Sequence, residues 1–124
     1  MIKQVFELPY PPAVLNPNVK VFWRKLYEAK KKARHCAYIV VKSQLRLINI
    51  KAPVKVHYDI YPPDMRRRDA DNAKAACKAY QDGIADAIAI DDYDFITSDR
   101  FYKNEPVRPH GKVLVTIELM ENAI

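Results

Sequence analysis

The sequence predicts an α+β fold: a mixed four-stranded sheet with two helices, in the order β-α-β-α-β-β, within a single domain over residues 1–124. Three observations predict it. "VKVHYDIY" at residues 54–61 alternates strictly between apolar and polar positions, as a half-buried strand does. After "LNPNV" a long segment repeats apolar residues at spacings of three and four, the period of a helix. A second run, from Asp71 to Ala87, is rich in alanine, lysine and other helix formers.

In chain order, "IKQVFELPY" alternates imperfectly and predicts a first strand over about residues 2–8, ended by the prolines of "PYPP". The first helix takes its apolar stripe from Val19, Phe22, Trp23, Leu26, Ala33, Ala37 and Val40. Aromatic residues at this spacing, Phe22, Trp23 and Tyr27, are expected in the core rather than as base-stacking platforms. The other faces of that helix hold Lys20, Arg24, Lys25, Lys31, Lys32 and Arg34, a basic surface suited to a nucleic-acid backbone. In the alternating strand Val54, Val56, Tyr58 and Ile60 share one side, and Pro62 and Pro63 close it. Gly83 is the one weak point of the second helix. Two short strands follow, near "FITSDRFYK" and "KVLVTIELM".

Composition narrows the function. Hydrophobic residues make up 49% of the chain and charged residues 29%, which excludes a disordered tail. No apolar run approaches the roughly 20 residues of a membrane span, and the N-terminus alternates like a strand without a cleavage site, so a cytoplasmic protein without a membrane partner is expected. Cys36 and Cys77 stand far apart, which argues against a zinc site or a disulfide. With two glycines in all there is no phosphate-cradling loop, hence no nucleotide cofactor. His35, His57 and His110 show no ligand spacing, and no GxSxG motif is present. The net charge of +6 favours a polyanionic partner.

The segment "RRRDADNAKAACK" carries the chemistry. Two unit charges about 4 Å apart interact by roughly 4 kcal/mol at an effective dielectric near 20, so Asp69 and Asp71 need a compensating cation if they act together. Side chains two apart share a side only in extended chain, which places the pair just ahead of the second helix, with Asp69, Asp71 or Asn72 as its cap. Asp91 and Asp92 stand in "AIAIDDYDF", before the third strand. Aspartates from two separate segments would supply the hard oxygen ligands that Mg²⁺ requires. Lys74 and Lys78 follow Asp71 by three and seven residues, on the same helical face, where a lysine can meet a scissile phosphate. Arg66, Arg67 and Arg68 cannot all pair with the aspartates, so at least one is expected to be free for phosphate.

"RRRDADN", "KAYQDGI", "IDD" ahead of a strand, Lys103 after it and the N-terminal "LPYPP" with "LNPN" together resemble the RusA family of Holliday-junction resolvases, over nearly the whole chain. The resemblance implies a homodimer that binds four-way junction DNA and cuts two strands symmetrically in recombination and repair, using Mg²⁺, with Mn²⁺ as a substitute. It implies Asp69, Asp71 and Asp92 as metal ligands, with Asp91 as neighbour or additional ligand. The family's catalytic lysine falls on Lys78, allowing a small insertion after Asn72, or on Lys74. The DNA-contacting residues expected are Arg66, Arg67, Arg68, Lys20, Arg24, Lys31 and Lys103. The alternative is a catalytically impaired DNA-binding module of prophage origin.

Overall fold

The computed structural model describes residues 2–120, and the expected order of elements is the one found. Strand β1 (Lys3–Leu8) leads through a short 3-10 turn (Ala13–Leu15) to helix α1 (Trp23–Gln44) and strand β2 (Val54–Tyr61). Helices α2 (Ala70–Ala76) and α3 (Lys78–Ile88) follow, then strands β3 (Phe95–Phe101) and β4 (Lys112–Leu119). The sheet runs β1-β4-β2-β3, with β4 antiparallel to both neighbours and β3 parallel to β2. A parallel neighbour needs a crossover connection, and α2 with α3 is that crossover. It is what returns the aspartates to the sheet.

The inward row of β2 is the one the alternation marks, whereas in β1 the apolar residue Val5 faces out and Gln4, Phe6 and Leu8 face in, because a strand turns every second residue to the core; Ile2, just ahead of β1, is exposed. Val54, Val56, Tyr58 and Ile60 of β2 are buried with Val113, Val115 and Ile117 of β4 and Phe6 and Leu8 of β1, against α1 and α3. Tyr80 reaches from α3 across the core and donates its hydroxyl to the Pro9 carbonyl at 2.7 Å, which satisfies a phenol that burial would otherwise leave unpaired. Cys36 is half-buried and Cys77 buried, both as free thiols, and burial pushes the Cys77 thiol up to about 12.

Two helical expectations need correction. Helix α1 starts at Trp23 rather than Val19, and its buried positions are Ala33, Ala37 and Val41. Phe22 and Trp23, each 63% exposed, and Tyr27, 59% exposed, lie outside the core. A helix of 22 residues is about 33 Å long, whereas an eight-residue strand spans about 27 Å, so α1 outruns the sheet by about one turn, and its first turn stands in solvent. The second helix is divided at Cys77, whose N–H turns to the Lys74 carbonyl at 3.0 Å, one residue short of the helical partner. Among the described residues no helix is long and apolar enough to cross a membrane.

Candidate functional site

A cleft of about 340 Å³ opens on the helix side of edge strand β3. Its walls are Asp71, Lys74 and Lys78 from α2 and α3, and Thr97 and Asp99 from β3, with Tyr58 and Gln81 at its base. The helical spacing of three and seven therefore does what the sequence expects of it: one carboxylate and two ammonium groups share a wall. Lys78 Nζ lies 2.8 Å from Asp82 Oδ1 and also bonds the Asp92 carboxylate. Gln81 bridges the floor, donating to Asp92 Oδ2 at 3.3 Å and accepting from the Tyr58 hydroxyl at 3.1 Å. Asp92, far along the chain from Asp71, is thus tied to two residues of the cleft, Lys78 and Gln81, without lining it.

The remaining aspartates are used locally. Asp69 is the extended N-cap of α2, accepting the Asp71 N–H at 2.8 Å, and Asp71 already belongs to the first helical turn. The pair is therefore not a two-residue unit in extended chain, because the capping bond draws Asp69 toward the helix end while Asp71 faces the cleft. Asp91 caps the short 3-10 turn of residues 92–94, accepting the Tyr93 N–H at 2.9 Å. That turn follows α3 at once, since Ala89 closes the helix in the left-handed conformation at φ 58°. Neither Asp69 nor Asp71 forms an ion pair among the described residues.

Arg68 does not neutralise them either. It bonds Asp64 at 2.7 Å and lies 5.8 Å from the Tyr10 ring, while Arg66 and Arg67 are exposed and unpaired among the described residues. Lys20, Lys31 and Lys103 are likewise exposed, and Arg24 sits 5.4 Å from the Trp23 ring. Asp99, paired with Lys74 at 3.2 Å, is the cleft carboxylate that sequence reasoning missed. Its signal was present: in "FITSDRF" every second residue from Phe95 faces the helices, and Asp99 is the one charge in that row.

The hydrogen bond from Lys78, helped by Gln81, holds the Asp92 carboxyl below the usual carboxylate range, while Asp82 and Asp92 raise the Lys78 ammonium. A depressed carboxylate contributes stability that is complete above its unfolded pKa and is lost as pH falls through the folded one. Lys78→Met is therefore expected to flatten the acid side of the stability profile, between the ordinary aspartate range and the lower folded value. Urea unfolding midpoints across that range, with the Asp92 carboxyl followed by NMR, check it; an unmoved Asp92 titration in Lys78→Met would refute the pairing.

The donor set is of the right kind for Mg²⁺, carboxylate oxygens being its preferred ligands. Its arrangement is not that of a metal cage: among the described residues no group of three or more His, Cys, Asp or Glu side chains is close enough to hold an ion. Lysine ammonium groups lie against Asp92 and Asp99 instead.

Fold and cleft together define a small α+β domain with a mixed acidic and basic cleft at a sheet edge. No family model matches the chain. It belongs to the same family as an "Uncharacterized protein" of Xylella fastidiosa (strain Temecula1 / ATCC 700964), 36% identical over 118 residues, covering 92% of this chain and 75% of the relative.

Proposed function

We propose that the chain is a Mg²⁺-dependent endodeoxyribonuclease of the RusA type, which cuts four-way junction DNA symmetrically as a homodimer. One observation carries the reading: Asp71 lines a cleft with Lys74, Lys78 and Asp99 beside an open sheet edge, and Lys78 also bonds Asp92, from the far end of the crossover. In this reading Asp71 and Asp92, with Asp91 adjacent, would hold the metal only after Lys78 releases Asp92, and Mn²⁺ would suit the same donors. The chemistry such an ion would supply is an acidified water as nucleophile and positive charge for the leaving oxygen.

The chain's own groups have distinct tasks in this reading. Lys78, kept protonated by Asp82 and Asp92, is the ammonium positioned for the scissile phosphate, and Lys74 sits one turn before it. Asp69 is assigned to the helix cap rather than to catalysis. Arg66 and Arg67, exposed and unpaired among the described residues, with Lys20, Arg24, Lys31 and Lys103, supply contacts to the junction arms. Two symmetric cuts require two such clefts related by a twofold axis.

The test compares a labelled four-way junction with linear duplex, each with and without Mg²⁺. Paired nicks in the junction alone, dependent on the metal, are expected. Salt-sensitive binding without cleavage in Mg²⁺ or Mn²⁺ would replace this reading with that of a non-catalytic DNA-binding module.

A further inference from the structure

The face of the sheet turned away from the helices carries an ordered stack. Side chains there alternate with the core row, so His57, Asp59 and Tyr61 of β2 share that face. The parallel ladder runs one residue past β3, with the Tyr102 N–H donating to the Ile60 carbonyl at 2.9 Å, which sets Tyr102 beside Tyr61. Their rings stack with centroids 4.3 Å apart and planes 7° from parallel. Lys112, the β4 partner of Tyr61, lies 5.7 Å from its ring, and the Arg100 guanidinium lies 4.8 Å from the ring of Tyr102. The four side chains run cation, ring, ring, cation across β4, β2 and β3.

Polar contacts hold this stack in place. The Tyr102 hydroxyl donates to Asp59 Oδ1 at 2.8 Å, the same oxygen that lies 3.0 Å from His57 Nε2, and His57 Nδ1 is 2.6 Å from Ser98 Oγ. The hydrogen bond to Asp59 pushes the Tyr102 phenol up to about 12, so the ring is neutral near pH 7. Gly111, at φ +72°, allows the chain to turn into β4 against Tyr61, where a Cβ would come within 2.7 Å of the Tyr61 carbonyl oxygen.

Charge selects the occupant. Arg100 is exposed on the edge strand and pairs with no carboxylate among the described residues, while Oδ1 of the facing Asp59 is engaged by Tyr102 and His57. Lys103, three residues further on in the turn after β3, is exposed and unpaired in the same sense. A guanidinium laid over an aromatic ring offers a flat surface to a base and a fork to a phosphate, the two contacts that bind single strands without reading sequence.

We infer that the Arg100–Tyr102–Tyr61–Lys112 stack is a binding surface for a single strand of nucleic acid, with a base stacked on the Arg100–Tyr102 end and phosphates on Arg100 and Lys103. It is a second site, distinct from the cleft: Asp99 faces the cleft and its neighbour Arg100 faces the stack, so the β3 edge divides the two. The inference goes beyond the nuclease reading and does not require it.

Anisotropy of a labelled oligothymidylate, titrated in EDTA over a range of salt, tests it. Arg100→Ala is expected to weaken binding on the order of tenfold and to make the salt slope shallower by about 0.7, the value for one lost cation on a single strand. Tyr102→Ala loses comparable affinity with the slope unchanged, and Tyr102→Phe, which retains the ring, binds like wild type. Wild-type affinity and slope in Arg100→Ala, or no oligothymidylate binding by the wild type at low salt, would overturn the inference. Duplex bound as tightly as single strand, with no effect of Tyr102→Ala, would overturn it too. Oligothymidylate binding by a protein that cuts no junction in Mg²⁺ removes the nuclease and leaves this surface; junction cleavage with undiminished strand binding in Arg100→Ala does the reverse.

Discussion

Asp71→Asn is expected to lose cleavage of a four-way junction in Mg²⁺ by at least about 100-fold, the scale on which one preorganised polar group at a developing charge is felt. The amide preserves the size of a side chain that lines the cleft and forms no ion pair among the described residues, so no partner is orphaned. The helix N-terminus loses a favourable charge worth only about 0.3–1 kcal/mol, too little to unfold the domain. Junction binding is expected to persist or tighten, because a carboxylate facing a phosphate is repulsive. Nicking rates on a labelled junction and band shifts on the same preparation separate the two effects. An Asp71→Asn protein that cuts at the wild-type rate ends the metal assignment.

Gly83→Ala is the substitution expected to cost most stability. The glycine lies where α3 crosses α1, and a Cβ there would come 2.1 Å from the Arg34 carbonyl oxygen and 2.9 Å from Ala37 Cβ. The first obstacle is backbone, so relief requires the two helices to part, and the Arg34–Asp86 pair that spans them at 2.7 Å would part with them. Overpacking of this kind costs about 1–3 kcal/mol and sometimes more. Replacing glycine by alanine within a helix returns about 0.8–1.0 kcal/mol. The steric cost is at the upper end because backbone cannot rotate aside, so a net loss of about 2 kcal/mol is expected from urea unfolding midpoints. A gain in stability would show that the helices separate cheaply and that propensity decides.

Gly83 also shows how far local reasoning reaches. As a helix former it is a weak residue, and the sequence marks it so; its role as the point of closest approach exists only once α1 lies across it. Trp23 and Tyr27 make the opposite case. Their spacing fits a buried stripe, yet Trp23 lies in the turn by which α1 outruns the sheet, and Tyr27 lies on another side of α1 from Leu26, which packs on the core, so both are exposed. The strand rows were legible because Val54, Val56, Tyr58 and Ile60 form a period-2 pattern that one covered face requires.

The site divides along the same line. That Asp71, Lys74 and Lys78 share a face follows from 3.6 residues per turn, and that Asp69 could cap follows from its place before an alanine-rich run. The pairing of Lys78 with Asp92 and the meeting of Asp99 with Lys74 were decided by the crossover, which sets β3 beside β2 and brings α3 back along it. Periodicity is a property of neighbouring residues, so the chain alone determined the order of elements and the inward row of the strictly alternating strand β2. Ion pairs between distant segments depend on distances of a few ångströms that only the packed helices and paired strands establish, which is why the partners of the aspartates belong to the tertiary structure.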